Sequence, residues 1–407
     1  MSYQSHKPLL SGGKIQGLFF DYNSTTPLDR DVAQEMSLYL DSCQGNPHSS
    51  DHAFGWEATQ AIQTARERLS KWVGCDPSEI VFTSGATEAN NLAILGAAIA
   101  AKGSGRNKII VGASEHKCVL AAARAARELF GCEIFIAPVD REGFVDADVL
   151  ANLLDERTLL ASLMSANNEI GTIQDLQSIG ALCRENGALL HSDAAQLGFM
   201  STTGDFIREA DLVSFSAHKI YGPKGIGALM VRHDVRDKLQ PIIYGGGQEG
   251  GLRSGTLPTQ LCVGFGKAAE VTQDFADKGV ENTLRVLARN FFNLLQAGPT
   301  AVSLNGPDIG KCRHPGNLSL TFDGISAEDF IARLQPRLAV SSGSACTTGI
   351  PEPSHVLRAI GLNGDEASAT IRVGLGRHTS QEDIELAANI LLETLASIGE
   401  EEGLSFV

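Results

Sequence analysis

Leu212-Val213-Ser214-Phe215-Ser216-Ala217-His218-Lys219-Ile220-Tyr221-Gly222-Pro223-Lys224-Gly225-Ile226-Gly227 runs from an apolar stretch through a lysine into a glycine-rich turn. The apolar stretch reads as a strand that delivers Lys219 to its C-terminal end, where open α/β sheets bind ligands. Apolar walls disfavour an ammonium and leave a neutral amine able to form a Schiff base with a carbonyl. An ordinary loop lysine is the alternative that a motif this short leaves open.

Outward from this stretch, strand-like runs alternate with helical patterns from about residue 55 to 235, as βαβ units of a mainly parallel sheet require. Helical 56–73 precedes a strand at 79–83, helical 86–101 precedes 108–112, and helical 119–130 precedes 133–138. Strands at 159–165, 188–192, 212–216 and 226–231 follow, with a helix at 176–186. Beyond Pro258 the pattern becomes α+β: helical stretches over 259–297, a strand at 317–322, a helix at 327–334, a strand at 371–374 and a helix from Ser380. Ser341 to Pro351 is rich in small residues and has neither period, so it reads as a loop.

The chain has 407 residues, 43% of them apolar, enough for a sizeable core in two domains. Its 33 basic and 48 acidic residues give a net charge of −15, which argues against general nucleic-acid binding. The first 17 residues are polar and carry no targeting pattern, and no apolar run is long enough for a membrane; a cytoplasmic protein is expected. Eight cysteines lack metal-ligand spacing or a disulfide framework, so no metal site is expected. Cys346 is read as different from the other seven, which are taken to lie in apolar helices or strands, because it falls in a polar loop where a thiolate is accessible.

Several strand ends carry chemistry. Thr83-Ser84-Gly85-Ala86-Thr87-Glu88 opens a helix, and free amides with Ser84 and Thr87 hydroxyls suit a phosphate. Asp193 ends an apolar run, where a carboxylate can keep a pyridinium nitrogen protonated and make a pyridoxal ring an electron sink; a turn cap is its plainer role. Asn167-Asn168-Glu169 can hydrogen-bond a phenolate or a carboxylate, or simply turn the chain. His116 can stack on a flat ring and move protons. Arg372 can clamp a carboxylate or form a structural ion pair.

Together these segments resemble the cysteine desulfurases of the NifS/IscS type, group I, within the fold-type I pyridoxal-phosphate enzymes. The likeness runs from Asp21-Tyr22-Asn23-Ser24-Thr25-Thr26-Pro27 through the motifs above to Arg253-Ser254-Gly255-Thr256-Leu257-Pro258, Ser342-Gly343-Ser344-Ala345-Cys346 and Arg372. It implies a mainly parallel seven-stranded sheet sandwiched by helices (28–275), and a smaller α+β domain (1–27 and 276–407) carrying a cysteine loop at 341–354. Pyridoxal 5'-phosphate would be borne by Lys219, with Asp193 at its ring nitrogen, Gln196 and Asn168 at its phenolic oxygen and His116 on its ring. Ala86, Thr87, Ser216 and His218 would hold the phosphate, joined by Thr256 from the second subunit of a homodimer. Arg372, Asn168 and Asn23 would bind L-cysteine, and Lys224 is a second choice for the Schiff base. Cys346 would take the sulfur as a persulfide, leaving L-alanine, and pass it to an acceptor protein.

Ser24 stands where the family commonly has alanine. The segment Gly399 to Val407 lacks the longer tail used for docking a scaffold, so the acceptor is left open between iron–sulfur cluster assembly, tRNA thiolation and DNA phosphorothioation. The rival readings are a selenocysteine lyase, another lyase or aminotransferase of this fold, and a non-catalytic sulfur-carrier adaptor.

Overall fold

The computed structural model describes residues 10–11, 14–15, 17–41, 44–199, 203–298, 300–342 and 354–402. Seven strands form the main sheet: β1 (Ile80–Thr83), β2 (Lys108–Gly112), β3 (Glu133–Ala137), β4 (Thr158–Ser162), β5 (Leu189–Asp193), β6 (Leu212–Ser216) and β7 (Gly227–Val231). Their order is β1-β7-β6-β5-β4-β2-β3, all pairs being parallel except those β7 makes with β1 and β6. The inner strands are buried on both faces, so neighbouring residues pack opposite ways. Phe82, Ile110, Leu190, Val213 and Phe215 meet Leu69, Trp72, Ile179 and Phe265 on one side. Val81, Ile109, Val111, Leu189 and Leu212 meet Leu92, Ile94 and Val119 on the other. Burying one such side chain contributes about 1.5–3 kcal/mol, and truncating Phe215 to alanine would cost about 3–5 kcal/mol.

A second sheet joins β8 (Val302–Asn305), β9 (Asn317–Phe322), β10 (Ser341–Ser342) and β11 (Thr370–Gly374) in the order β8-β9-β11-β10. Helices Val280–Gln296, Ala327–Leu334 and Gln381–Glu402 supply Phe291, Phe330 and Leu391 to its separate core. The N-terminal segment ties the two bodies together. Leu18–Phe19 pairs with Leu338–Ala339, Asp21 bridges Gly374, and Thr26 Oγ1 donates to His218 O at 3.0 Å.

Several boundaries depart from the sequence reading. The helix expected at 56–73 begins at Ala53, because His52 accepts from Gly55 N as a cap. Residues Pro77–Glu79 form a 3-10 turn capped by Asp76, so β1 starts one residue later than expected. The strand expected at 159–165 ends at Ser162. The stretch expected to be loop from Ser341 opens as strand, Ser341 pairing opposite Arg372 and Ser342 opposite Ile371. Cys346 lies outside the described residues. Cys75, Cys132 and Cys312 correct the contrast drawn among the cysteines: all three fall between elements, and Cys312 is exposed in a turn.

Candidate active site

Strand β6 ends at Ser216, and the 3-10 turn Ala217–Lys219 lifts Lys219 to the floor of a cavity of about 600 Å³. Tyr221, just beyond, has φ 64°, a left-handed conformation costly for an aromatic residue. Its amide is held by Thr26 Oγ1 at 2.7 Å, which anchors the turn. Lys219 Nζ donates to the carbonyls of Asn23 (2.6 Å) and Ser24 (2.8 Å). Burial first, then the Arg372 guanidinium, lowers its pKa to about 8, against the opposing pull of Asp193 and Asp21.

At one wall Gly85, with φ 156°, caps helix Ala86–Ala100 without any side-chain bond. The amides of that first turn therefore stay open to an anion beside Thr87, Ser216 and His218. A side chain at Gly227 would strike Gly85 Cα at 2.6 Å, so the neighbouring strand is kept bare to admit this turn. Burial, Lys219 and Lys224 push His218 down to about 4, and its Nδ1 lies 3.0 Å from Thr25 Oγ1.

Asp193, the last residue of β5, is 5% exposed. Asn90 Nδ2 donates to its Oδ2 (2.7 Å) and Ala195 N to its Oδ1 (3.0 Å), so the expected turn cap coexists with a carboxylate lining the cavity. Gln196 donates to Asn23 O at 2.8 Å. Asn167 is the buried brace of its turn, its Oδ1 accepting from Glu169 N and Ile170 N, while Asn168 lines the cavity. His116 caps helix Lys117–Phe130 and is held below its ordinary pKa by burial, Lys219 and Lys117, Asp193 opposing.

Arg372, on β11, donates to Asp21 Oδ1 at 2.8 Å and to Asn168 O at 3.3 Å. Its Nε is buried with no partner among the described residues, as is Asn23 Oδ1. Both polar atoms suit a bound carboxylate or amine, and the ion pair and a ligand role are compatible here.

The cavity thus gathers Ala86, Thr87, His116, Asn168, Asp193, Gln196, Ser216, His218, Lys219, Arg372 and Asn23. Lys224 also lines it, exposed. Thr256 is exposed and outside it. Ser24, noted for standing in place of an alanine, lines it too, as do Cys118 and Met164, which were not singled out. The groups fit a pyridoxal phosphate: an uncapped helix start for its dianion, a carboxylate for its ring nitrogen and a lysine whose amine is neutral near pH 8.

Such a fold and pocket define a pyridoxal-phosphate enzyme of fold type I. The chain belongs to the aminotransferase class-V family, whose model matches residues 18–386. It is similar to the cysteine desulfurase IscS of Rickettsia typhi, 46% identical over 375 residues that cover 92% of this chain and 90% of that one. The IscS of Rickettsia felis is 45% identical over 384 residues, covering 94% and 92%. A solved NifS-like protein matches with TM-score 0.86 at 32% identity, over 94% of this chain and 100% of the other. SspA in complex with cysteine matches at 0.75 and 34%, over 89% and 99%.

Proposed function

We propose that this chain, a pyridoxal-phosphate-dependent cysteine desulfurase, removes sulfur from L-cysteine at the Lys219 cavity and loads it on Cys346. The reading rests above all on one observation: Lys219, Asp193 and Arg372 line a single cavity. When bound, pyridoxal 5'-phosphate supplies the electron sink that stabilises the substrate carbanion.

The chain's own residues do the rest. Arg372, with Asn168 and Asn23, holds the substrate carboxylate and orients Cα. The Lys219 amine, low in pKa, takes the α-proton and later returns one. Asp193 and Gln196 would hold the ring of the bound cofactor with His116 beside it, and Ala86, Thr87, Ser216 and His218 would hold its phosphate. The Cys346 thiolate attacks the substrate sulfur: an S–S bond forms, the Cβ–S bond breaks, and its electron pair stays with the carbon, which is protonated to give L-alanine.

The same reading divides the chain into a large domain (28–275) and a small one (1–27 and 276–407), in keeping with the two separate cores. It makes the protein a cytoplasmic homodimer in which Thr256, exposed on this chain, completes the phosphate site of the second subunit. Among the described residues no helix is long and apolar enough to cross a membrane. The persulfide passes to an acceptor protein serving iron–sulfur cluster assembly, tRNA thiolation or DNA phosphorothioation.

The decisive experiment measures alanine and sulfide from L-cysteine with reductant and, in a sample given L-cysteine without reductant, the mass of the Cys346 peptide. Wild type gains one sulfur on that peptide. Cys346→Ser keeps the visible absorbance of the lysine-bound cofactor and loses turnover. Normal alanine release by Cys346→Ser would remove the persulfide step, and a strong preference for selenocysteine would reassign the substrate.

A further inference from the structure

Cys118 lines the cavity beside His116, yet no step above uses it. Its sulfur lies 2.9 Å from His116 Nδ1 and 3.2 Å from Asn90 Nδ2, and the Thr87 side chain also reaches it. The direction of each bond follows from the charged end of the network. The Asp193 carboxylate only accepts, so Asn90 turns its amide nitrogen toward Oδ2, 2.7 Å away. That nitrogen's second N–H is then directed at Cys118 Sγ, which accepts it.

The thiol keeps its own proton, since burial foremost pushes its pKa up to about 11. The acceptor for that proton is His116 Nδ1, which also accepts from Cys118 N at 3.3 Å. A ring nitrogen accepting two donors carries no proton, so neutral His116 bears its hydrogen on Nε2. No hydrogen bond joins Nε2 to a described residue, which leaves it for the contents of the cavity.

We infer that Cys118 is a positioning residue: oriented by Asn90 on Asp193, its thiol fixes His116 as the neutral Nε2–H tautomer, a hydrogen-bond donor toward the cavity. Asp193 and His116 are thereby linked through two side chains, Asn90 and Cys118. An inert cysteine filling space between helices Ala86–Ala100 and Lys117–Phe130 would have no such effect on the ring proton.

Histidine-selective 15N spectra of the holoenzyme read the tautomer, a His116→Asn variant identifying the signal among the ten histidines. Wild type should show unprotonated Nδ1 and protonated Nε2. Cys118→Ala should lose Nε2–H population, since the 3.3 Å backbone contact remains alone, and Cys118→Ser, with an O–H donor, should restore it. Alanine formation should fall roughly three- to tenfold in kcat for Cys118→Ala, the effect of one hydrogen bond, with KM unchanged and recovery in Cys118→Ser.

A wild-type proton on Nδ1, or an unaltered tautomer in Cys118→Ala, overturns the assignment. An altered tautomer with unaltered kcat overturns the positioning role. The kinetic arm rests on the desulfurase reading and the spectroscopic arm does not. A protein that releases no alanine would therefore count against that reading alone.

Discussion

Two carbonyls, of Asn23 and Ser24, hold the Lys219 amine, and the Arg372 guanidinium opposes its positive charge. Burial above all, with that guanidinium second, outweighs the two acceptors, so the amine loses its proton near pH 8 in the folded protein, well below a free lysine. Pyridoxal phosphate added to apoprotein should bind covalently faster as pH rises to about 8 and no faster above it, followed by visible absorbance. Arg372→Gln removes a charge that lowers this pKa and frees Asp21, which raises it, so the midpoint should move to higher pH. A midpoint that stays put or falls would discount the guanidinium. That Lys219, Asp193, Asn168 and His116 line one cavity was legible because each sits in a short motif at or just past a strand's end. Asp21 was not read as the partner of Arg372, since 351 residues separate them and only the folded chain brings them together. Cys118 was hidden for a different reason: an amphipathic helix gives its small residues no signal of which one meets a ligand.

At the scale of elements, the alternation of strands and helices was legible, whereas the strand order was not. Apolar periodicity marks that a run is buried but carries no information about its neighbour, so the antiparallel insertion of β7 between β1 and β6 emerges only in the fold. The same limit hid the docking of helix His355–Ala359. Its cap Ser354 accepts from Val356 N and Leu357 N and donates to the half-buried Glu169 Oε2 at 2.5 Å, while His355 Nε2 lies 2.8 Å from Glu115 O. Residue 354 thus fastens the C-terminal side of the Cys346 segment to the turn of Asn168, as Ser341 opposite Arg372 fastens the N-terminal side. Ser354→Ala loses the cap, about 1 kcal/mol, and leaves the Glu169 carboxyl without that donor. Persulfide formation on Cys346 should fall about tenfold, in keeping with the cost of small misplacements. The absorbance change on adding cysteine should be retained. Equal losses in both would make the anchor a general support of the fold.

Across the whole molecule the two bodies meet at a polar seam. Ile173 N donates to Cys312 O and His314 N to Gly171 O, at 2.9 and 2.7 Å. Arg313 is fully buried behind it, bonded to the carbonyls of Asn317, Asn305 and Pro307. His314 packs edge-on against Phe199 at 4.3 Å and is 8% exposed. Its Nδ1 accepts from Gly316 N at 3.1 Å. Burial, then Arg313, depresses its pKa to about 3, with Lys219 adding in the same direction. The folded protein therefore cannot take up the proton that the unfolded chain binds below about pH 6.5. Its contribution to stability falls by about 1.4 kcal/mol per pH unit from there downward. Buried Glu115 and half-buried Glu169, whose pKa values are raised by desolvation, act in the opposite sense, so the pH profile of the wild type alone does not isolate His314. The difference from His314→Gln does, because the carboxyls cancel. That variant should be less stable at pH 7, having lost the ring against Phe199. Its deficit should shrink by about 1.4 kcal/mol per unit between pH 6 and 4.5, as read from denaturant midpoints. A deficit independent of pH would mean that His314 is protonated in the folded seam, with a negative partner that this packing does not provide.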